Sequence, residues 1–201
     1  MCVSWQPPAL SAADLARLAA SWVAVMGVGG LGSHVAMMLA RTGVGGLVLA
    51  DPDRVEPGNL SRQAYFPDQV GLLKVEALQA HLQRLRPQMA IITIPRRLEP
   101  QEMGALARQC PVVVEAVDGA QDKAALVEAA LAAGCVVVSA SGIGGVGGPL
   151  PVRRLGRLVV VGDETTPCAG PTPPVAPRVV AAAALQADAV VQWILSREDG
   201  T

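Results

Sequence analysis

The sequence predicts an α/β protein built on an open, mostly parallel β-sheet, with helices on both faces and a small antiparallel extension near the C-terminus. Short apolar runs alternate along the chain with longer segments of helical periodicity, which is typical of parallel sheets. The composition agrees, because 201 residues with 51% hydrophobic and 16% charged side chains suit one well-packed core. We therefore expect residues 1–201 to form a single domain.

The first 140 residues supply the main sheet and its helices. A short alanine-rich helix is expected within residues 1–21, because Ser11 followed by Asp14 is a typical helix start. Buried strands are predicted from apolar runs at Val23–Met26, Leu47–Ala50, Ala90–Ile94, Val112–Glu115 and Val136–Ser139. Helices are predicted between them at Leu31–Arg41, Gly71–Leu85, Pro100–Gln109 and Ala120–Ala133.

The remaining part of the chain has a different pattern. Residues 141–177 are rich in glycine and proline, and within them Val152–Leu155 and Leu158–Val161 flank Gly156-Arg157, which predicts a β-hairpin. The stretch from 162 to 177 has no periodicity, and a loop of this length is often functional. Residues 178–196 predict a closing helix.

Charge and hydropathy argue against several classes of partner. The net charge is −1 without a run of like charge, so we expect neither a nucleic acid nor a membrane surface as partner. The apolar stretch Val179–Leu195 is interrupted by Gln186, Asp188 and Gln192, which favours a packed helix over a membrane span. Because no apolar stretch follows a basic start, we expect a cytoplasmic protein.

The four cysteines, at positions 2, 110, 135 and 168, are scattered and include no C-x-x-C pair. This spacing predicts neither a disulfide scaffold nor a zinc site. Cys168 lies in the proline-rich loop, and a lone cysteine is weak evidence for a reactive thiol. We therefore favour a chance small residue at position 168 over a reactive thiol.

A glycine-rich turn predicts a nucleotide site in a Rossmann-like fold. Gly27, Gly29, Gly30 and Gly32 join the first strand to the next helix, where they allow a tight turn, close approach of the backbone to a phosphate, and close helix packing. Asp51 ends the second strand, where a carboxylate can bind ribose hydroxyls. A turn without ligand is the alternative, and the motif alone does not separate NAD from ATP.

The polar segment that follows favours ATP. It contains Asp53, Asn59, Arg62 and Gln63, and Lys74 follows at the start of the third predicted helix. Arginine can bind phosphate oxygens in a bidentate manner and lysine acts as a point charge, so this set suits an enzyme that cleaves a triphosphate. A dinucleotide oxidoreductase does not need such a set here. Taken alone, Lys74 could equally be a solvated residue of a first helical turn.

Asp118 lies just beyond the carboxyl end of the fourth predicted strand, the edge at which open α/β sheets bind ligands. Its carboxylate could hold Mg²⁺ on the phosphates. The alternative is an N-cap of the helix predicted from Ala120, and one carboxylate cannot easily do both.

Together these residues resemble the family of E1-like activating enzymes that includes MoeB, ThiF and HesA. The resemblance extends over about residues 23–195, and within the family it is strongest to the short form of the sulfur-carrier-protein adenylyltransferase ThiF. It is carried by the ordered segments Gly27–Ser33, Leu49–Asp53, Val55–Phe66, Gly71–Glu76, Val113–Lys123 and Ala176–Arg178.

The resemblance implies ATP and Mg²⁺ as cofactors, and a ThiS-like sulfur carrier ending in Gly-Gly as the partner. Its terminal carboxylate would attack the α-phosphate and give an acyl-adenylate and pyrophosphate, in thiamine or related sulfur metabolism. By the same resemblance, the nucleotide-binding residues would be Gly27, Gly29, Gly30, Gly32, Asp51, Asp53, Asn59, Arg62, Gln63 and Lys74. Arg62, Lys74 and Asp118 would be catalytic, and Asp118 would hold the Mg²⁺. No thiol takes part in this step, so we expect it not to need Cys168.

The sequence departs from common family patterns in three places. It lacks the paired C-x-x-C of zinc-containing relatives, Arg17 is the single arginine before the first strand, and Gly119 stands where relatives often have asparagine. The family resemblance and the apolar composition together predict a homodimer. An NAD-dependent oxidoreductase and a non-catalytic module that binds a ubiquitin-like protein stay open as alternatives.

Overall fold

The computed structural model describes residues 5–167 and 173–196. In chain order, the elements are α1 (Ala12–Ala20), β1 (Trp22–Met26), α2 (Gly30–Thr42), β2 (Gly46–Ala50), α3 (Lys74–Leu85), β3 (Ala90–Ile94), α4 (Met103–Gln109), β4 (Val112–Glu115), α5 (Ala120–Ala132), β5 (Val136–Ala140), β6 (Val152–Leu155), β7 (Leu158–Val161) and α6 (Ala176–Ser196). Short 3₁₀ turns lie at Pro57–Ser61, Pro67–Gln69 and Pro100–Glu102.

One sheet of seven strands organises the fold, in the order β3-β2-β1-β4-β5-β7-β6. All neighbours are parallel except β6 and β7, which form an antiparallel hairpin at one edge. The chain moves outward from β1 to β3 and then returns to place β4 on the other side of β1. Ligands bind at such a reversal point in open α/β sheets, and the predicted Rossmann-like class is confirmed.

Alternating side chains of the buried strands supply both faces of the core. Val23 and Val25 of β1 face a cluster shared with α2, α3 and α6, whereas Ala24 and Met26 face a second cluster shared with α4 and α5. This two-residue period is what a strand covered by helices on both faces requires. The helices on both faces therefore hold the carboxyl ends of β1 and β4 in fixed positions.

The predicted strands and helices are all present. Strands β3, β4, β6 and β7 have the predicted ends, whereas helices α2 to α6 each differ from the prediction at one or both ends. Helix α3 begins at Lys74 rather than Gly71, because Gly71 has a φ of 92° and Leu73 is extended. The α-helical part of α4 begins at Met103, after a 3₁₀ turn, and α6 begins at Ala176. The hairpin was predicted, but its parallel pairing with β5, which makes it part of the main sheet, was not.

Helix α6 is the one helix among the described residues that is long and apolar enough to cross a membrane, with 21 residues and a mean hydropathy of 1.5. In the structure it packs along α2 and against α1 and β5. Nine of its residues are buried, including Arg178 and Gln186. These contacts are those of a core helix.

Candidate active site

A cavity of about 400 Å³ lies at the carboxyl ends of β1, β2 and β4. Its walls come from four parts of the chain: the turn after β1, the segment after β2 with Lys74, the loop after β3, and the loop after β4 with the first turns of α5. Of the residues predicted to bind nucleotide, those in the wall are Gly27, Gly29, Asp51, Asp53, Lys74 and Asp118.

Glycines shape the turn after β1, which we call the glycine loop (residues 27–30). Gly27 has a φ of 83°, and a Cβ there would lie 2.6 Å from the carbonyl oxygen of Ala116. A Cβ on Gly32 would lie 1.9 Å from the carbonyl oxygen of Gly27, and one on Gly30 would lie 3.2 Å from Val179. Gly30 and Gly32 thus serve packing in this structure, whereas Gly27 and Gly29 line the cavity.

The glycine loop leads directly into α2. Gly29 is the N-cap of α2 and supplies no side-chain cap, so the first backbone N–H groups of the helix are available to an anion. A phosphate placed there would also benefit from the helix dipole.

Asp51 is buried, with 5% of its surface exposed, and braces the glycine loop. One carboxylate oxygen accepts the N–H of Val28 and the other accepts the N–H of Asp53, both at 2.8 Å. Burial raises the pKa of Asp51, and these two backbone donors oppose that shift. The predicted ribose contact would therefore use the remaining lone pairs of a carboxylate that is already fixed in place.

Lys74 points into the cavity wall and is not solvated. Its ammonium lies 2.8 Å from Asp53 Oδ2, and the side chain is only 8% exposed, against 61% for Asp53. The solvated alternative is wrong, because Lys74 is buried and its ammonium is paired with Asp53 of the segment after β2. The pair places one fixed cation beside the glycine loop.

Asn59, Arg62 and Gln63 do not line the cavity. The Asn59 side chain accepts the N–H of Glu56 at 3.1 Å, and Arg62 donates to the carbonyl oxygen of Gly58 at 3.3 Å. Gln63 lies next to Gly29, and its buried Oε1 has no partner among the described residues. The structure therefore separates the predicted phosphate-binding set, with Lys74 inside the cavity and Arg62 outside its wall.

Asp118 is exposed and faces the cavity. Within the part of the chain that the structure describes, its side chain makes no hydrogen bond or ion pair. The N-cap alternative is wrong, because Gly119 occupies the N-cap of α5 and Asp118 lies one residue too early. A free carboxylate thus faces the same cavity as Lys74.

The sequence did not predict two sets of polar contacts near the cavity, one ion pair and one buried cluster. At the mouth, Arg97 forms an ion pair with Asp122. Beneath the loop that carries Asp118, Lys123 donates to the buried Glu115 at 2.6 Å and Ser139 donates to the same carboxylate at 2.6 Å. The usable signal was the rarity of lysine, since Lys74 and Lys123 are the only two.

No group of three or more histidine, cysteine, aspartate or glutamate side chains that could hold a metal occurs in residues 5–167 and 173–196. Cys110 and Cys135 are buried and free, and burial raises the pKa of Cys110 to about 12, so it stays a thiol. Cys168 lies outside the described residues.

Comparison with known proteins decides the family. The model of the ThiF family matches residues 4–198. The chain belongs to the ThiF family. This confirms, at the level of the family, the resemblance inferred from the motifs.

Curated relatives of this ThiF-family chain are longer proteins. It is 30% identical over 188 residues to "Adenylyltransferase and sulfurtransferase uba4" of Aspergillus clavatus, covering 88% of this chain and 36% of the relative. It is 52% identical over 71 residues to "Ubiquitin-like modifier-activating enzyme 5" of Culex quinquefasciatus, covering 35% of this chain and 18% of the relative. The chain thus spans about a third or less of the length of these relatives.

Among solved structures, the fold is similar to that of the E. coli tRNA N6-threonylcarbamoyladenosine dehydratase TcdA in complex with ATP. The TM-score is 0.83, with 20% identity over 92% of this chain and 90% of that one. The structure of E. coli MccB with ATP has a TM-score of 0.73 and 22% identity, and the match covers 90% of this chain and 58% of MccB. At these identities the likeness shows the fold.

Proposed function

We propose that this ThiF-family chain is an ATP-dependent adenylyltransferase that activates the C-terminal glycine carboxylate of a ThiS-like sulfur-carrier protein. One observation carries the proposal: a glycine loop, a fixed lysine and a free carboxylate, Asp118, meet in a single cavity at the reversal point of the sheet. The relatives named as adenylyltransferases and ubiquitin-like modifier-activating enzymes support it.

The residues present fit ATP. A cavity of about 400 Å³ with both apolar and charged walls is within the range of small-molecule sites, about 300–1,000 Å³. Leu98 and Leu126 offer apolar surface for a base, Asp51 lies where a ribose is expected, and the N-terminus of α2 with Lys74 suits phosphates.

The proposed reaction needs no catalytic base. A terminal carboxylate is ionised at neutral pH, so its oxygen can form the bond to the α-phosphorus while the bond to the bridging oxygen breaks. The electron pair of that bond leaves with pyrophosphate. Lys74 and the backbone N–H groups at the start of α2 are fixed before the reaction and would stabilise the charge that develops there.

Asp118 also fits a magnesium site. Mg²⁺ is usually bound by one or two carboxylates together with substrate phosphates. Asp118 lines the cavity, and its carboxylate makes no hydrogen bond or ion pair with any residue that the structure describes. When bound, the ion would neutralise phosphate charge. Asp51 and Asp53 are less suitable, because backbone N–H groups and Lys74 already occupy them.

The direct test is exchange of labelled pyrophosphate into ATP, with Mg²⁺ and a carrier ending in Gly-Gly. We expect exchange that depends on the carrier and is abolished when its last glycine is removed. ATP binding without exchange, across the candidate carriers, would support the non-catalytic binding module instead. Tight binding of NAD with no binding of ATP would support the oxidoreductase.

We propose three finer points, which rest on the sequence: the pathway on the family resemblance, the homodimer on the resemblance and the apolar composition, and the location on the pattern of charge and hydropathy. The pathway is thiamine or related sulfur metabolism, the location is cytoplasmic, and the active form is a homodimer of single-domain subunits. Large exposed apolar side chains, such as Phe66, Leu72 and Val146, are available for an interface. Light scattering that gave a monomeric mass would contradict the homodimer.

A further inference from the structure

The backbone of Val28, in the middle of the glycine loop, is held from two directions. Its N–H donates to Asp51 Oδ2 at 2.8 Å, and its carbonyl oxygen accepts the Tyr65 hydroxyl at 2.7 Å. Val28 itself is fully buried. Two side chains from later parts of the chain therefore fix the two peptide groups that flank Val28.

Tyr65 is the only tyrosine of the chain and is 4% exposed. Its hydroxyl is also 3.3 Å from the carbonyl oxygen of Lys74, but its single proton favours the shorter bond to Val28. Burial raises the pKa of Tyr65 well above its usual value, so the hydroxyl stays a donor over the working pH range. The hydroxyl is thus bonded to the glycine loop and lies near the start of the helix that carries Lys74.

Because a trans peptide is planar, the hydrogen bond from Tyr65 to the Val28 carbonyl also fixes the direction of the Gly29 N–H. The carbonyl of Val28 and the N–H of Gly29 belong to one planar unit and point in opposite directions, and no described peptide bond is cis. With the carbonyl fixed toward Tyr65, the N–H of Gly29 points to the opposite side. Gly29 lines the cavity and Tyr65 does not. No acceptor for this N–H is found among the described residues.

We propose that Tyr65 is a positioning residue of the phosphate site: its hydrogen bond to Val28 aims the free N–H of Gly29 at a phosphate of the bound nucleotide. The inference rests on the proposed use of ATP and adds a residue outside the cavity wall to that site. Preorganised donors of this kind act at little cost, because the protein has already oriented them before the ligand arrives.

Tyr65→Phe keeps the ring and removes the hydroxyl. Outright removal of an oxyanion-hole donor lowers kcat by about 10²–10³-fold. Loosening one donor to a bound phosphate should cost less, and we expect ATP binding to weaken by about tenfold. Adenosine, which has no phosphate, should bind within about twofold of wild type. Calorimetric titration with a non-hydrolysable ATP analogue and with adenosine measures both. Equal losses for both ligands, or no loss for either, would overturn the inference.

Ser21→Ala is a matched control, because the Ser21 hydroxyl donates to the carbonyl oxygen of Arg17 at the end of α1, away from the cavity. It should leave both affinities unchanged. A second readout is NMR of protein labelled with ¹⁵N-glycine, titrated with pyrophosphate. We expect the Gly29 amide to shift in wild type and to shift less in Tyr65→Phe. An identical shift in both would overturn the role of Tyr65.

These outcomes separate the two proposals. A wild-type protein that binds ATP but shows no exchange refutes adenylyl transfer, while the ratio of ATP to adenosine affinity still decides the role of Tyr65. A wild-type protein whose Gly29 amide does not respond to ATP or pyrophosphate refutes the positioning role, whatever its activity.

Discussion

The two lysines of the chain form ion pairs of the same chemistry with very different surroundings. Lys74 meets Asp53 at 2.8 Å, and the carboxylate side chain is 61% exposed. Lys123 meets Glu115 at 2.6 Å, and that carboxylate side chain is 1% exposed. Both pairs lie at the carboxyl edge of the sheet, yet only Lys74 lines the cavity.

The difference lies in what else the carboxylate binds. Glu115 also accepts the N–H of Val117 and the hydroxyl of Ser139, while Lys123 also donates to the carbonyl oxygen of Ala140. That cluster ties the loop after β4 to β5 and has little capacity for a ligand. The Asp53 pair keeps an exposed oxygen and a cation beside the glycine loop. We infer that the Lys123–Glu115 cluster stabilises the structure and that the Lys74–Asp53 pair takes part in the chemistry.

The largest effect is expected for Lys74→Ala. Loss of a fixed charge that acts on the transition state should lower pyrophosphate exchange by about 10² or more. The free energy of unfolding should fall by less than about 1 kcal/mol, because the exposed Asp53 is left solvated. Exchange kinetics and urea unfolding measure the two quantities, and a near-normal rate would remove Lys74 from the site.

Arg62→Ala is the matched companion of that variant. The sequence predicts a loss of similar size, about 10², for this residue as well. In the structure its guanidinium bonds to Gly58, outside the cavity wall. An equal loss would show that the segment around Arg62 closes on the phosphates, whereas an unchanged rate would leave Lys74 as the phosphate-binding side chain.

Asp118→Ala is expected to lower exchange by about 10² and to raise the Mg²⁺ concentration needed for half-maximal rate. Its side chain has no partner in the described structure, so the melting temperature should stay close to that of wild type. Titration of the rate with Mg²⁺ and a thermal melt give the two values. A variant that lost stability but kept its Mg²⁺ dependence would contradict the assignment.

Lys123→Met should show the opposite pattern to Lys74→Ala. Breaking a buried ion pair costs about 3–5 kcal/mol, and we expect about 2 kcal/mol here because the Lys123 side chain is 25% exposed and Glu115 keeps two other donors. Exchange per folded molecule should change little. Glu115→Gln combined with Lys123→Met should recover part of the stability. A large loss of kcat in a fully folded Lys123→Met variant would show that the Lys123 pair also takes part in the reaction.

The smallest effect is expected for Arg97→Ala at the mouth of the cavity. Arg97 and Asp122 are 70% and 51% exposed, so their ion pair is well screened by solvent. We expect a change in ATP affinity below about threefold, with stability within about 0.5 kcal/mol of wild type. Titrations at low and high salt would check this, and a tenfold loss would assign Arg97 to the nucleotide site.

The fold was predictable where local pattern decides it. The apolar runs at Val23–Met26 and Val112–Glu115 are buried strands, as their composition indicates. The parallel pairing of β7 with β5 joins two segments of the chain that a loop and strand β6 separate, and no local pattern encodes it. Helix ends were displaced where a positive φ at Gly71 or a 3₁₀ turn at Pro100 intervened.

The candidate site was predictable in part for the same reason. Gly27, Gly29 and Asp51 follow strands directly, so knowing the strands places them at one edge of the sheet. The partners of Lys74 and Lys123 could not be predicted, because each contact joins separate segments of the folded chain. The bond between Tyr65 and Val28, 37 residues apart, belongs to the same class.

The packing of α6 along α2 has a consequence for synthesis of the chain. The apolar side of α2, with Val35 and Leu39, is synthesised early, whereas the helix that packs on it begins only at Ala176. At about 5–20 residues per second, a ribosome would need roughly 7–30 s to make the intervening chain. During that interval the emerging protein exposes an apolar surface beside an unfinished nucleotide site. A chaperone that recognises nascent apolar segments could bind the uncovered side of α2 during this interval.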